Sequence, residues 1–335
     1  MTVTGIEPGA SRVTLGDGRV LGYDRLLLAT GAEPRRLHIP GADLDRVCYL
    51  RTLADCDLLR AQLGAGGRVV VVGAGWIGSE FAASARQRGL EVTVIDPQPL
   101  PNERIFGREV AAFYRDVHAQ HGIEFLLGDG VEAFEGNGAV SRVRTASGRR
   151  VECDFAVVGI GVVPRTGLAS GAGLEVSNGI VADAQLPDRR AGHLRGRRRR
   201  ERVAPVLPAG GSGSSTGRTR STRDPPPPGP CSASGSATTT SRTSTPTSTT
   251  SAWSTPGYAP QWDEVGLRGD RVGGEFIAFW LRGGRVAAGM NVNVWDVNEH
   301  VQALIRCGPG RSRRLRWPIP ASRLASLVSE LAAGS

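Results

Sequence analysis

RVVVVGAGWIGSEFAASARQRGLEVTVID, residues 68–96, holds every part of a dinucleotide-binding βαβ unit in order. The valines Val69–Val72 read as a buried strand that runs into Gly73, Gly75 and Gly78. Ile77–Arg88 has helical composition, and Glu91–Ile95 is a second strand that ends at Asp96. Gly73 permits the tight turn, Gly75 lets the backbone approach a pyrophosphate, and Gly78 lets helix and strand pack closely. Trp76 and Ile77 open the helix, whose N-terminus offers N–H groups and a positive dipole end to phosphate oxygens. Asp96 lies 18 residues past Gly78, where a carboxylate accepts hydrogen bonds from the adenosine ribose hydroxyls. Pro97 and Gln98 follow, with no arginine for a 2′-phosphate, so NADH is favoured over NADPH. A lone Gly-x-Gly-x-x-Gly is weak evidence; strand, helix, second strand and terminal acid together make it specific.

On either side of this unit, residues 1–186 alternate strands and helices with short Gly-rich connections, the α/β pattern. Arg25–Ala29 reads as another buried parallel strand, Phe155–Val158 as a further strand, and Thr4–Val20 as a hairpin. A chain of 335 residues has room for two or three domains. No window approaches the ~20 consecutive apolar residues of a membrane span. The N-terminus shows no signal-peptide pattern, so a cytoplasmic protein with no membrane partner is expected. Cys48, Cys56, Cys153, Cys231 and Cys307 are far apart, which speaks against a redox disulfide or a zinc site and for reduced thiols.

The net charge of +9 resides in one segment: residues 187–223 carry eleven arginines against two acids. All 41 basic residues are arginine, which with abundant Gly and Ala indicates a GC-rich gene. Residues 187–256 hold few large apolar side chains and are expected to be disordered as written. The arginine run lacks interleaved aromatics and a nucleic-acid-binding module, so no nucleic acid is expected as partner. From Gly257 a folded character returns. Glu275–Leu281 and Arg285–Met290 flank Gly283-Gly284, a hairpin signal, and Asn298–Arg306 reads as a short helix. Residues 308–323 turn Arg/Pro-rich again before a helical finish at Leu324–Leu331.

Three stretches resemble the NADH-dependent ferredoxin reductases of bacterial oxygenase systems, the putidaredoxin and rubredoxin reductase type. YDRLLLATGAEPRRL at Tyr23–Leu37 is similar to that family's strand and ATG turn, which touch FAD; Ala29, Thr30, Gly31 and Arg35 match. VVGIGVVPRTGLA at Val157–Ala169, with Gly159 and Gly161, is similar to the segment where the chain leaves the NAD domain for the FAD domain. EFIAFWLRGGRVAAGMNVNVWDVNEHVQALIR resembles the C-terminal domain peculiar to these reductases. The resemblance implies that NADH passes a hydride to FAD and that the flavin gives single electrons to a ferredoxin-type iron–sulfur protein. The flavin supplies the chemistry, so no catalytic acid, base, nucleophile or metal is sought. Glu80 is assigned near the nicotinamide or, equally, to a solvated or capping place in the first helical turn.

Two FAD elements of that family are missing: an opening Gly-x-Gly-x-x-Gly unit, and an AGDVA turn followed by EHW and a Tyr-rich strand. The chain is therefore expected to be truncated at its N-terminus and shifted in frame in its middle. Arg195–Pro205 can be written in codons that, read in another frame after TT, give FAAGDVANAWHP. Thr238–Thr255 back-translates to YDHLPYFYSDQYDLGMEY, and Gly217–Pro228 to WANALNQGPAAA, with more than one indel required.

The fold expected is α/β, a two-dinucleotide-binding-domain flavoprotein with a Rossmann-like NAD domain inserted in a partial FAD domain, plus a small α+β C-terminal domain. Residues 1–43 and 164–186 form the partial FAD domain, 44–163 the NAD domain, and 257–335 the C-terminal domain. Two other functions stand beside the reductase: a non-catalytic remnant that only binds NADH, and another NADH-dependent flavoenzyme. The unpaired cysteines and the C-terminal match argue against the latter.

Overall fold

The computed structural model describes residues 1–182, 241–244, 253–257 and 259–306. The chain opens with strands β1 (Val3–Glu7), β2 (Arg12–Leu15), β3 (Val20–Gly22), β4 (Ala32–Pro34) and β5 (Val47–Tyr49). Helix α1 (Leu53–Ala65) and strand β6 (Arg68–Val72) follow, then α2 (Trp76–Gln87) and β7 (Glu91–Asp96). Next come α3 (Glu103–Phe106), α4 (Arg108–Gln120) and β8 (Ile123–Leu127). Strands β9 (Val131–Asn137), β10 (Ala139–Thr145), β11 (Arg150–Glu152), β12 (Phe155–Val158) and β13 (Val162–Pro164) precede α5 (Gly167–Gly171). The short pair β14 (Val176–Ser177) and β15 (Gly179–Ile180) follows. The last elements are β16 (Ser241–Ser244), β17 (Trp253–Pro256), β18 (Glu264–Asp270), β19 (Glu275–Arg282), β20 (Arg285–Val292) and α6 (Asn298–Arg306).

These elements gather into two compact units. The first holds the chain up to Ser79 and resumes at Gly130; the second holds Glu80–Asp129 and the C-terminal sheet. In the first unit β12 lies parallel between β5 and β6, with Val157 opposite Cys48 on one side and Val71 on the other. Val69–Val72 are buried, as a strand covered on both faces requires. The expected hairpin at Thr4–Val20 is there, extended by β3 into an antiparallel sheet in the order β1-β2-β3. Helix α1 starts at a capping box: the Thr52 hydroxyl accepts from the Asp55 N–H, and the Asp55 carboxylate accepts from the Thr52 N–H.

The expected strand at Arg25–Ala29 does not form. Leu26 and Leu27 are exposed, and among the described residues no strand hydrogen-bonds to this run. A continuous apolar run such as Leu26–Ala29 becomes a buried strand only where neighbours pair with it on both sides, and among the described residues none does.

In the second unit β7 and β8 are parallel, with Val94 opposite Phe125. The C-terminal sheet has the order β16-β17-β20-β19-β18. Its hairpin turns at Gly283 (φ 58°) and Gly284 (φ 74°), the two positive φ angles of a type I′ turn, with Arg282 opposite Arg285. β19 is buried along Phe276–Leu281 because both its faces are covered. Ile277, Phe279 and Leu281 pack with Val301 and Leu304 of α6. On the other face Phe276 meets the Phe113 ring edge-on at 4.9 Å, and the Trp280 indole N–H donates to the Phe106 carbonyl at 3.0 Å.

Ser241–Ser244 and Trp253–Pro256, inside the stretch expected to be disordered, pair as strands of this sheet, the first at its edge and the second between β16 and β20. The rest of the arginine-rich stretch, Cys231, Cys307 and the helix expected at Leu324–Leu331 lie outside the described residues. No helix among the described residues is long and apolar enough to cross a membrane. Burial pushes the Cys153 thiol up to about 12, which leaves it un-ionised and unreactive.

Helix α4 turns Val110, Ala111, Tyr114, Val117 and His118 inward. The His118 ring lies 4.3 Å from that of Tyr114, and its Nδ1–H donates to the Tyr114 carbonyl at 2.9 Å. Burial lowers the His118 pKa below its ordinary 6.5. The unfolded chain therefore takes up this proton first on acidification, so the contribution is complete above 6.5 and is lost as pH falls from there through the folded value. Between about pH 7.5 and about 5.5 the melting temperature of the wild type is expected to fall further than that of His118→Phe, which keeps the ring and cannot titrate. Equal slopes in thermal melts at the two pH values contradict this.

Candidate functional site

The turn after β6 is shaped by backbone that no side chain could replace. Gly73 has φ 103°, and a Cβ there would sit 2.7 Å from the Gly159 carbonyl oxygen. A Cβ on Gly78 would overlap the Gly73 carbonyl and reach 3.3 Å from Val71 Cγ1. Gly75 differs: nothing lies closer to a Cβ there than the Gly159 oxygen at 3.8 Å. Gly73 and Gly78 thus serve the fold of the turn, while Gly75 leaves open space beside the first turn of α2.

Gly159 comes to this turn because β12 and β6 are adjacent parallel strands that end together. Val158 stands opposite Val72, and the Gly159 N–H donates to the Val72 carbonyl at 2.8 Å. The carboxyl ends of parallel strands, where a helix N-terminus also points, are where such sheets take ligands. The Ser79 N–H closes the first turn of α2 on the Gly75 carbonyl at 2.9 Å, and Ser79 is buried. Trp76 and Ile77 are half-buried at the helix start.

The ATG turn is held by a different ladder. β13 pairs antiparallel with β4, setting Val162 opposite Pro34 and Pro164 opposite Ala32. The Arg35 N–H donates to the Gly161 carbonyl, and the Arg165 N–H to that of Gly31. The Thr30 hydroxyl donates to the Arg165 carbonyl at 2.5 Å. The segment Val157–Ala169 therefore runs from the glycine turn to the ATG turn.

A cleft of about 350 Å³ opens here, lined by Leu28–Ala32, Arg51, Ile77, Val162, Pro164–Thr166 and Gly179–Ile180. Ala29, Thr30 and Gly31, assigned to one cofactor, and Ile77, assigned to the other, face the same space. Arg35 is exposed and takes part through its backbone.

Arg51 and Arg165 were not singled out from sequence. The Arg51 Nε–H donates to the Ala32 carbonyl at 2.9 Å, and Arg165 pairs with Glu33 at 3.4 Å across exposed surface. The one sequence signal for Arg51 is its place directly before the capping box of α1. Glu80 and Asp96 belong to the second unit. Glu80 is half-buried, and the Asp96 carboxylate accepts the Gln98 N–H at 2.7 Å, which fixes its orientation at the end of β7. Among the described residues no group of three or more His, Cys, Asp or Glu is placed to hold a metal ion.

Residues 1–191 match the sequence model of a family described as pyridine nucleotide-disulphide oxidoreductase. The chain is 42% identical over 185 residues to rhodocoxin reductase of Rhodococcus erythropolis, covering 55% of this chain and 43% of that protein. It is 40% identical over 190 residues to putidaredoxin reductase of Pseudomonas putida, covering 55% and 45%. The chain thus spans rather less than half the length of the curated relatives it matches. The crystal structure of a covalent putidaredoxin reductase–putidaredoxin complex superposes with a TM-score of 0.75 at 28% identity, over 99% of this chain and 80% of that one.

The different surroundings of the glycines make a test. Gly78→Ala is expected to destabilise the chain by about 1–3 kcal/mol through overpacking. Gly75→Ala is expected to melt like the wild type and to bind NADH more weakly, because its methyl group occupies the open space. Thermal melts with NADH titrations on both variants check the pair; a Gly75→Ala variant that loses stability as Gly78→Ala does contradicts it.

Proposed function

The chain belongs to the pyridine nucleotide-disulphide oxidoreductase family, and from that premise we propose that it passes electrons from NADH through FAD to a ferredoxin-type iron–sulfur protein of an oxygenase system. The family is one of NAD(P)H-dependent FAD oxidoreductases. The observation that carries the reading is the cleft that the ATG turn shares with Ile77 at the start of α2. A flavin touching the turn and a nicotinamide held at the helix would meet there.

The residues fit the groups. The space beside Gly75 and the start of α2 would take the NADH pyrophosphate, and Asp96 the adenosine ribose hydroxyls. Ala29, Thr30 and Gly31, with Gly159 and Gly161 on the returning segment, would hold one flank of FAD. When bound, the flavin supplies hydride acceptance and single-electron release. The chain's own work is orientation: the β4–β13 ladder fixes the ATG turn, and the Thr30 hydroxyl ties it to the Arg165 backbone. Half-buried Glu80 is assigned to the nicotinamide end. In domain terms, 1–43 with 164–186 form the flavin side and 44–163 the NAD side. The acceptor class is supported by relatives named rhodocoxin and putidaredoxin reductase, and by the complex in which one such reductase is joined to putidaredoxin.

With its reading frame restored, the protein purified with FAD supplied is expected to carry a flavin absorbance that NADH bleaches anaerobically, whereas the present chain, without the AGDVA turn, is expected to be colourless. Asp96→Asn is expected to raise the Kd for NADH about tenfold, the loss of one charge-assisted hydrogen bond. A frame-restored chain that stays colourless and still binds NADH overturns the reductase in favour of a nucleotide-binding protein without electron transfer.

A shifted reading frame between residues 187 and 256 accounts for two further observations. The family match stops at residue 191, where the arginine run begins. In the C-terminal sheet Asn291, opposite Ser254 of β17, is buried with Oδ1 unpartnered among the described residues. Resequencing the gene is expected to restore an AGDVA turn and a Tyr-rich strand; a gene sequence that confirms the present reading frame through residues 187–256 rejects this.

A further inference from the structure

Asn-Gly occurs twice in the 335 residues, at Asn137-Gly138 and at Asn178-Gly179. Both lie on turns, and their surroundings are opposite. Gly136 and Asn137 end β9, opposite Val140 and Ala139, and Gly138 makes the turn into β10; all three are exposed. Gly138 has φ 78°, and a Cβ there would meet nothing within 4 Å. The Asn137 side chain makes no hydrogen bond among the described residues. Gly179, in contrast, is buried at φ 140° and forms the ladder with Ser177, and it lines the cleft beside the ATG turn.

We propose that Asn137-Gly138 is a site of spontaneous deamidation and that the fold protects Asn178-Gly179 from the same reaction. The Gly138 amide nitrogen gives its proton to hydroxide and bonds to the Asn137 side-chain carbonyl carbon. The bond from that carbon to the side-chain nitrogen breaks, and ammonia leaves. Water then opens the cyclic imide at one carbonyl or the other, giving aspartate or isoaspartate. Each product carries one new negative charge, and no oxidant or reductant takes part. The amide must turn toward its own preceding side chain to react. At Gly138 neither a Cβ nor a packed neighbour opposes that turn. At Gly179 the turn requires a buried glycine to leave its ladder.

The isoaspartate product has consequences away from the tip. The Gly138 carbonyl accepts the Asp45 N–H at 3.0 Å, and the Val140 N–H donates to the Asp45 carbonyl at 2.9 Å. Those two bonds fasten the hairpin to the chain that leads into β5, through the bridge between Asp45 and Ala139. An isoaspartate routes the main chain through one more carbon between Asn137 and Gly138. The register of Gly138 against Asp45 is then lost, whereas plain aspartate keeps it.

The test is ageing of the full chain in warm, mildly alkaline buffer, followed by tryptic peptide mapping. Residues 116–142 and 166–189 fall in separate peptides, each with a single asparagine. The 116–142 peptide is expected to split into two products, each heavier by the exchange of an amino group for a hydroxyl, one of them a substrate for an isoaspartyl methyltransferase. Its conversion is expected to outrun that of 166–189 by about tenfold, a barrier difference of about 1.4 kcal/mol. In chaotrope the two rates are expected to converge, and Asn137→Gln to abolish the 116–142 products. Equal rates in the folded chain, or faster conversion of 166–189, overturn the proposal, as does a 116–142 peptide that stays intact while the unfolded chain reacts.

Discussion

The structure depends on one steric fact: three stretches of main chain, at Gly73, Gly78 and Gly159, meet so closely that Gly73 has no room for a Cβ beside Gly159, nor Gly78 beside Gly73. The strand Val69–Val72 ends there, the helix begins there, and Gly159 from the neighbouring parallel strand closes over the same turn. The contact sets how far α2 stands off β6. It also sets where the first-turn N–H groups of α2 point, so packing and ligand geometry share one cause. At the remaining glycine, Gly75, a Cβ would meet nothing tighter than an ordinary contact with the Gly159 oxygen at 3.8 Å, and that leaves room for a ligand's charged oxygens.

The C-terminal sheet shows a different economy. β19 is apolar at six successive positions and buried on both faces, by α6 on one side and by α3 and α4 on the other. Such a strand gains its stability from area removed from water, and each covering element must be in place for the burial to count. The Trp280 N–H satisfies its hydrogen bond on the Phe106 carbonyl, as a buried indole requires. Arg268, Asn291 and Asn298 keep unsatisfied polar atoms nearby. Buried groups of that kind weaken a fold unless something meets them, so these positions, two of them opposite Ile277 in the ladder, are where the sheet is least satisfied.

What the sequence made legible was local. The glycine turn, α2, β7, the Gly283-Gly284 hairpin and α6 are each written in a few consecutive residues whose chemistry has one physical reading. What failed depended on neighbours. Arg25–Ala29 has the composition of an interior strand, and the described chain provides nothing to pair with it. Ser241–Ser244 and Trp253–Pro256 have the composition of a loop and still pair, because an existing sheet edge supplies the partner. Arg51 and Arg165 reach the cleft through tertiary hydrogen bonds and a cross-strand pair, neither visible in spacing.

The same distinction describes the polar side chains around the cleft, which hold backbone or pair with charge: Thr30 on the Arg165 carbonyl, Arg51 on the Ala32 carbonyl, Arg165 on Glu33. The surfaces offered to a ligand are main-chain turns and the end of a helix dipole. A site built in this way contributes orientation and field, and leaves bond making to a group it binds. Its sequence requirement is correspondingly narrow in backbone and loose in side chains. A few glycines and a short ladder between β4 and β13 are enough to keep the geometry, while most of the side chains around them are free to differ.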